Sequence, residues 1–186
     1  GGQISINAGK AATSSGGSVH IRSGFGEQSS SGEIKLLTSN AGTSGRSGRT
    51  IIASGSASAG NSGFIYLQSG DSVDGQSGNI AIEVGTSLSV GMAGGDVITT
   101  AGGSKWATGG SVYLKSGIGK DTSSGFIHMR THNAGRQGVS GEMLIATGTS
   151  SDGVSGMLKM ATGNAIGGAA GSIVFQPGIG DTGPGS

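Results

Sequence analysis

Cysteine is missing from this chain, which excludes disulfide staples and thiolate zinc sites and says little about compartment. Proline occurs only at Pro177 and Pro184, and glycine does not recur at every third residue, so a collagen triple helix is excluded. Aromatic residues make up 4% and charged residues 11% of the sequence, too little for an ordinary mixed core and surface. The formal net charge of +1 supplies no basic field for nucleic acid and no acidic one for cations. No apolar run is long enough to span a membrane. No signal peptide is visible, and a chain opening at Gly1 fits a mature or trimmed form. No Asn-x-Ser/Thr sequon occurs; Asn61-Ser62-Gly63 is the nearest approach.

What the chain does have is glycine, 42 of 186 residues, with abundant serine. Such a composition suggests disorder, but disordered chains are usually charged or poor in β-branched residues, and here Ile, Val and Leu return at fixed spacing. A glycine precedes each aliphatic pair, at Gly2, Gly17, Gly32, Gly48, Gly63, Gly78, Gly95, Gly110, Gly125, Gly141, Gly156 and Gly171. The steps are 15, 15, 16, 15, 15, 17, 15, 15, 16, 15 and 15 residues. Twelve units of about 15 residues thus carry a superperiod of 46 to 47 residues, and residues 1–93 are echoed by 94–186. The segment "GGSVHIRSGFGEQSSSGEIKLLT" at 16–38 returns as "GGSVYLKSGIGKDTSSGFIHMRT" at 109–131.

Each unit reads Gly-x-aliphatic-x-aliphatic, an alternation of period two that predicts a β-strand. The first column runs Ile4, Val19, Ile34, Thr50, Ile65, Ile80, Val97, Val112, Ile127, Met143, Leu158, Ile173. The second runs Ile6, Ile21, Leu36, Ile52, Leu67, Ile82, Thr99, Leu114, Met129, Ile145, Met160, Phe175. These 24 positions are the expected core. Nine residues after each anchor glycine the side chain is always tiny, as at Ala11, Gly26, Ala57 and Gly119, which suggests one backbone layer pressed on another. The glycine after each pair (Gly9, Gly24, Gly55, Gly70, Gly85) suits a turn with positive φ. A fixed short period is the mark of a solenoid. The expectation is therefore a single all-β domain over 1–186, a parallel β-solenoid or β-helix. It would be wound as twelve thin coils or as four three-sided coils.

Candidate chemistry is sparse. His128 and His132 in "HMRTH" have no carboxylate close in sequence, so surface is preferred over a metal site. "GIGKDTSSG" at 117–125 lacks the spacing of a phosphate loop. Asp71 and Asp74 in "GDSVDG" lack the repeated calcium motif of β-rolls. No Ser-His-Asp set or carboxylate pair stands out, so neither an enzyme nor a cofactor is expected. What does repeat is hydroxyl: Ser23, Thr38, Ser54, Ser69, Ser116, Thr131, Thr147 and Thr162 follow the aliphatic pair in eight of twelve units. A second series, from Ser31 and Ser47 to Ser140 and Ser155, precedes the anchor. The first series reads either as a structural ladder bonded to itself or to turn backbone, or as a regular surface that orders water. The residues between the aliphatics are irregular, with His20, Arg22, Glu33, Lys35, Phe64, Tyr66, Tyr113 and Phe126 among them.

"SGGSVHIRSGFG", "SGRTIIASGSASAGNSGFIYLQSG" and "SGEMLIATGTSSDGVSG" resemble the Ser/Gly repeat proteins of algae and water moulds. Small cysteine-free members from polar green microalgae are antifreeze proteins. The resemblance implies secretion to the extracellular space and ice binding, with ice or ordered water as partner; the repeat offers the eight hydroxyls as the ice-binding or structural ladder. The alternative expectation is a structural module of an extracellular filament, cell wall or surface coat, O-glycosylated and associating end to end. An adhesin using Phe64, Tyr66, Tyr113 and Phe126 ranks third. Pro177 and Pro184 in the last unit are expected to blunt a terminal strand edge.

Overall fold

The computed structural model describes residues 2–180, and Pro184 lies outside them. The expected β-solenoid is not present. Among the described residues there is no helix, and strand structure is confined to one isolated bridge residue, Ile179. Neither twelve thin coils nor four three-sided coils form.

The hydrogen-bond pattern gives the physical reason. A stacked coil needs partners one turn of the coil away, 15 or about 46 residues along. The bonds made instead are local. The N–H of Gly17 donates to the Gly9 carbonyl at 2.8 Å, and that of Gly32 to Gly24 at 3.0 Å. The N–H of Gly110 donates to Gly102 at 2.8 Å, and that of Gly125 to Gly117 at 2.9 Å. Each closes a loop across a separation of eight residues, from the glycine after one aliphatic pair to the anchor glycine of the next unit. Two aliphatics per unit bury too little to offset the ordering of some fifteen glycine- and serine-rich residues. The alternating runs stay unpaired, and among the described residues none is buried.

What survives of the repeat is a train of eleven bends, at 12–14, 27–29, 43–45, 58–60, 73–75, 89–91, 105–107, 120–122, 136–138, 151–153 and 166–168. The left-handed glycines sit at the ends of several bends: Gly45, Gly60, Gly91, Gly138 and Gly153, with Gly167 inside its own. They are not the glycines after the aliphatic pairs, where positive φ was expected. The side-chainless turn residue is needed where the chain reverses, and the segment leaving the pair continues extended.

The tiny column also acts differently from expectation. A β-carbon on Gly26 would stand 2.7 Å from the Ser29 carbonyl oxygen and as close to that of Ser30. One on Gly119 would collide with the carbonyls of Thr122 and Ser123 in the same way. The crowding comes from the residue's own loop, three and four positions on, rather than from a second layer.

The chain divides into two units, Gly1–Val97 and Ile98–Ser186. In the first, loops close at Gly9–Gly17 and Gly24–Gly32, and left-handed tips follow at Gly45 and Gly60. In the second, loops close at Gly102–Gly110 and Gly117–Gly125, and tips follow at Gly138 and Gly153. Every one of these features recurs 93 residues later, so the sequence duplication is also a duplication of backbone conformation.

The accessible surface is 19127 Å². A compact chain of this mass exposes about 8,000 Å² and a fully extended one about 26,000 Å². The alternation still leaves a trace. Ile34 and Ile65 are each 51% exposed, against 87% for Phe64 and Phe126. The first aliphatic column, Ile4 aside, is thus about half-shielded, while the second is more open, as at Leu36 and Leu67.

Candidate functional site: a glycine latch in every unit

The hydroxyl series and the anchor glycines, read separately in the sequence, meet in space. A β-carbon on Gly48 would stand 3.2 Å from Thr38 Cγ2 and 3.3 Å from its Cβ. One on Gly32 would be 3.4 Å from Ser23 Cβ; on Gly63, 3.5 Å from Ser54; on Gly78, 3.6 Å from Ser69. In the second unit such a carbon would lie 3.5 Å from Ser116 on Gly125, 3.5 Å from Thr131 on Gly141, 3.8 Å from Thr147 on Gly156 and 3.5 Å from Thr162 on Gly171. All eight members of the series therefore lie against the next anchor glycine.

Three further units make the same contact with no hydroxyl. An added carbon would lie 3.4 Å from Ala8 on Gly17, 3.0 Å from Val84 Cγ1 on Gly95 and 3.5 Å from Ala101 on Gly110. The position thus holds a β-carbon in every one of these units, hydroxyl or not, and its approach is tight enough to favour a bare glycine at Gly48 and Gly95. Eleven anchors make the contact with the residue 9 to 11 positions earlier. The one- and two-residue insertions of the sequence fall inside the latch. They give the 10-residue spans ending at Gly48 and Gly141 and the 11-residue span ending at Gly95.

The hydroxyls add little bonding to one another. Thr38 Oγ1 donates to the Gly48 carbonyl at 3.1 Å, which reinforces its own latch. Elsewhere Ala107 N–H donates to Ser104 Oγ at 3.0 Å, and Ser150 Oγ donates to the Asp152 carbonyl at 3.1 Å. Both are bend-capping bonds of the kind serine makes in turns. In all four threonines Cγ2 is among the atoms facing the glycine, so the methyl is turned into the latch.

The other candidates stay apart. No group of three or more metal-ligating side chains is found among the described residues, His128 and His132 included. "GIGKDTSSG" is the closed loop Gly117–Gly125, and its counterpart "GFGEQSSSG" closes Gly24–Gly32 with Glu27 and Gln28 in place of Lys120 and Asp121. A loop that closes equally well with an acidic tip or one of mixed charge is built by its glycines. An open depression of about 690 Å³ lies beside His20, Ile21 and Arg22, and one of about 460 Å³ runs from Arg22 to Phe25 and Ser31. Their counterparts in the second half carry Tyr113 and Lys115, so their chemistry does not repeat. Lys35 pairs with Glu33 at 2.8 Å, both well exposed, and Lys105 lies 4.9 Å above the exposed Trp106 ring. No helix is long and apolar enough to cross a membrane.

Sequence reasoning missed the partner of the hydroxyl series. The signal was available in the insertions, which lengthen only the stretch between that position and the next anchor. No family model, no curated protein and no solved structure matches this chain.

Proposed function

We propose that this protein is a structural repeat module of an extracellular filament, wall or surface coat. The observation that carries the reading is the latch position. Ala8, Val84 and Ala101 fill it as well as the eight hydroxyl residues do, so its shared task is to shape the unit. A chain of self-closed loops with its aliphatics uncovered is suited to packing against like chains. The exposed serines and threonines are open to O-linked sugars, in keeping with an outer coat.

Ice binding through Ser23, Thr38, Ser54, Ser69, Ser116, Thr131, Thr147 and Thr162 is the second proposal. It is supported by one hydroxyl per unit on a chain of low charge and by the resemblance to algal antifreeze proteins. The inward turn of the threonine methyls favours the structural reading over it.

One sample separates the two. Purified protein is sized by light scattering as its concentration rises, and ice growth is watched in the same solution. Growing particles with rounded, freely growing ice support the module. A monomer that facets ice and opens a hysteresis gap overturns it in favour of ice binding.

A further inference from the structure

We propose that two copies of this chain associate side by side with a stagger of 93 residues, the first half of one lying along the second half of the other. This rests on the structural-module reading and specifies its partner and its register.

The area argument comes first. The 19127 Å² exposed here exceeds the compact value by about 11,000 Å², several times the roughly 1,600 Å² buried in a standard interface. The uncovered apolar surface is regular, two aliphatics per unit, and a second copy presents the same spacing.

Register follows from the insertions. With steps of 15, 15, 16, 15, 15 and 17 residues, a slip of one unit leaves every third latch, where an insertion falls, one or two residues out of phase. A slip of three units leaves a third of the latches one residue off, and only zero slip or a slip of one half-chain brings every latch onto a latch. Backbone geometry agrees, because the closures at Gly17 and Gly32 recur at Gly110 and Gly125, and the tips at Gly45 and Gly60 recur at Gly138 and Gly153.

Charge decides between the two registers. At zero slip every ionised side chain lies beside its own copy, and such like-charge neighbours are unfavourable. At a half-chain slip Glu27 meets Lys120 and Arg49 meets Glu142, while Glu33 meets Phe126 and Asp71 meets Asn164. Arg22 facing Lys115 is the one like pair of permanent charges. The aliphatics still match: Val19 with Val112, Ile34 with Ile127, Ile52 with Ile145. A half-chain stagger leaves a free half at each end. The contact is heterologous and does not close, so it propagates as a filament.

The absence of cysteine makes the test clean. Two full-length variants, Ile34→Cys and Ile127→Cys, are made with different mass tags and mixed under a mild oxidant. Both sites are half-exposed, so neither substitution empties a core. The expected product is the mixed cross-link, in large excess over either self-cross-link. A self-cross-link of Ile34→Cys forming as readily as the mixed one overturns the stagger and leaves the module reading standing. A chain that stays monomeric at every concentration overturns both. A charge exchange gives a second measurement: Glu27→Lys weakens association by about two- to fivefold, the range of an exposed ion pair, and adding Lys120→Glu restores it. An unchanged association constant in Glu27→Lys contradicts the register.

Discussion

Substituting Gly26 by alanine tests the loop geometry at its tightest point. The new methyl would lie 2.7 Å from the Ser29 carbonyl oxygen and against that of Ser30. Both obstacles are backbone, so no flexible side chain can swing aside. The loop Gly24–Gly32 must open, and the 3.0 Å bond from the Gly32 N–H to the Gly24 carbonyl goes with it. An exposed main-chain bond contributes about 0.5–1.5 kcal/mol net, so protection of the Gly32 amide falls by about 2- to 13-fold. Amide hydrogen exchange by NMR reads this directly. The counterpart loop closed by Gly125 N–H to Gly117 serves as an internal reference and is expected to stay unchanged. Gly42→Ala is the external control, since nothing lies within 4 Å of its added carbon. Equal protection of Gly32 in the wild type and in Gly26→Ala would refute the closed loop.

Three further outcomes follow from the same geometry. Gly60→Ala places a side chain at φ 95° and costs about 1–2 kcal/mol of local order, seen as collapse of the 58–60 bend in NMR couplings, whereas Gly42→Ala leaves its surroundings intact. Thr38→Val keeps the methyl against Gly48 and removes only the 3.1 Å hydroxyl bond, so the latch persists in nuclear Overhauser contacts, while Thr38→Gly loses it. Trp106, 88% exposed at the bend 105–107, is expected to fluoresce as in water and to be quenched freely by iodide; shielded emission in the monomer would contradict the open bend.

The period, the duplication and the fifteen-residue unit were all legible in the sequence, because glycine anchors and insertions write them without ambiguity. The strand stack was not. Alternation at Ile34 and Leu36 or at Ile65 and Leu67 reports which side of an extended run is apolar, and says nothing about whether another run lies opposite. That depends on whether two side chains per unit outweigh the ordering of the rest, and here they do not. The hydroxyl series from Ser23 to Thr162 was legible as a repeat, but its place against the next anchor glycine was not. The hydroxyls were expected to bond one another along a stack or to bond turn backbone; local closure brings each to the next anchor glycine, where Thr38 bonds the Gly48 carbonyl. The tiny column was misjudged for the same reason, since Gly26 and Gly119 are small for the sake of their own carbonyls.

Residue-resolved amide exchange on the dilute monomer would weigh loops against stacked coils in one experiment. Measurable protection is expected at the Gly17, Gly32, Gly110 and Gly125 amides, with fast exchange through Ile34–Leu36, Ile65–Leu67 and Ile127–Met129. Strong protection along those aliphatic runs in the monomer, at every second or every residue, would mean that the runs are paired with one another and would contradict the self-closed unit.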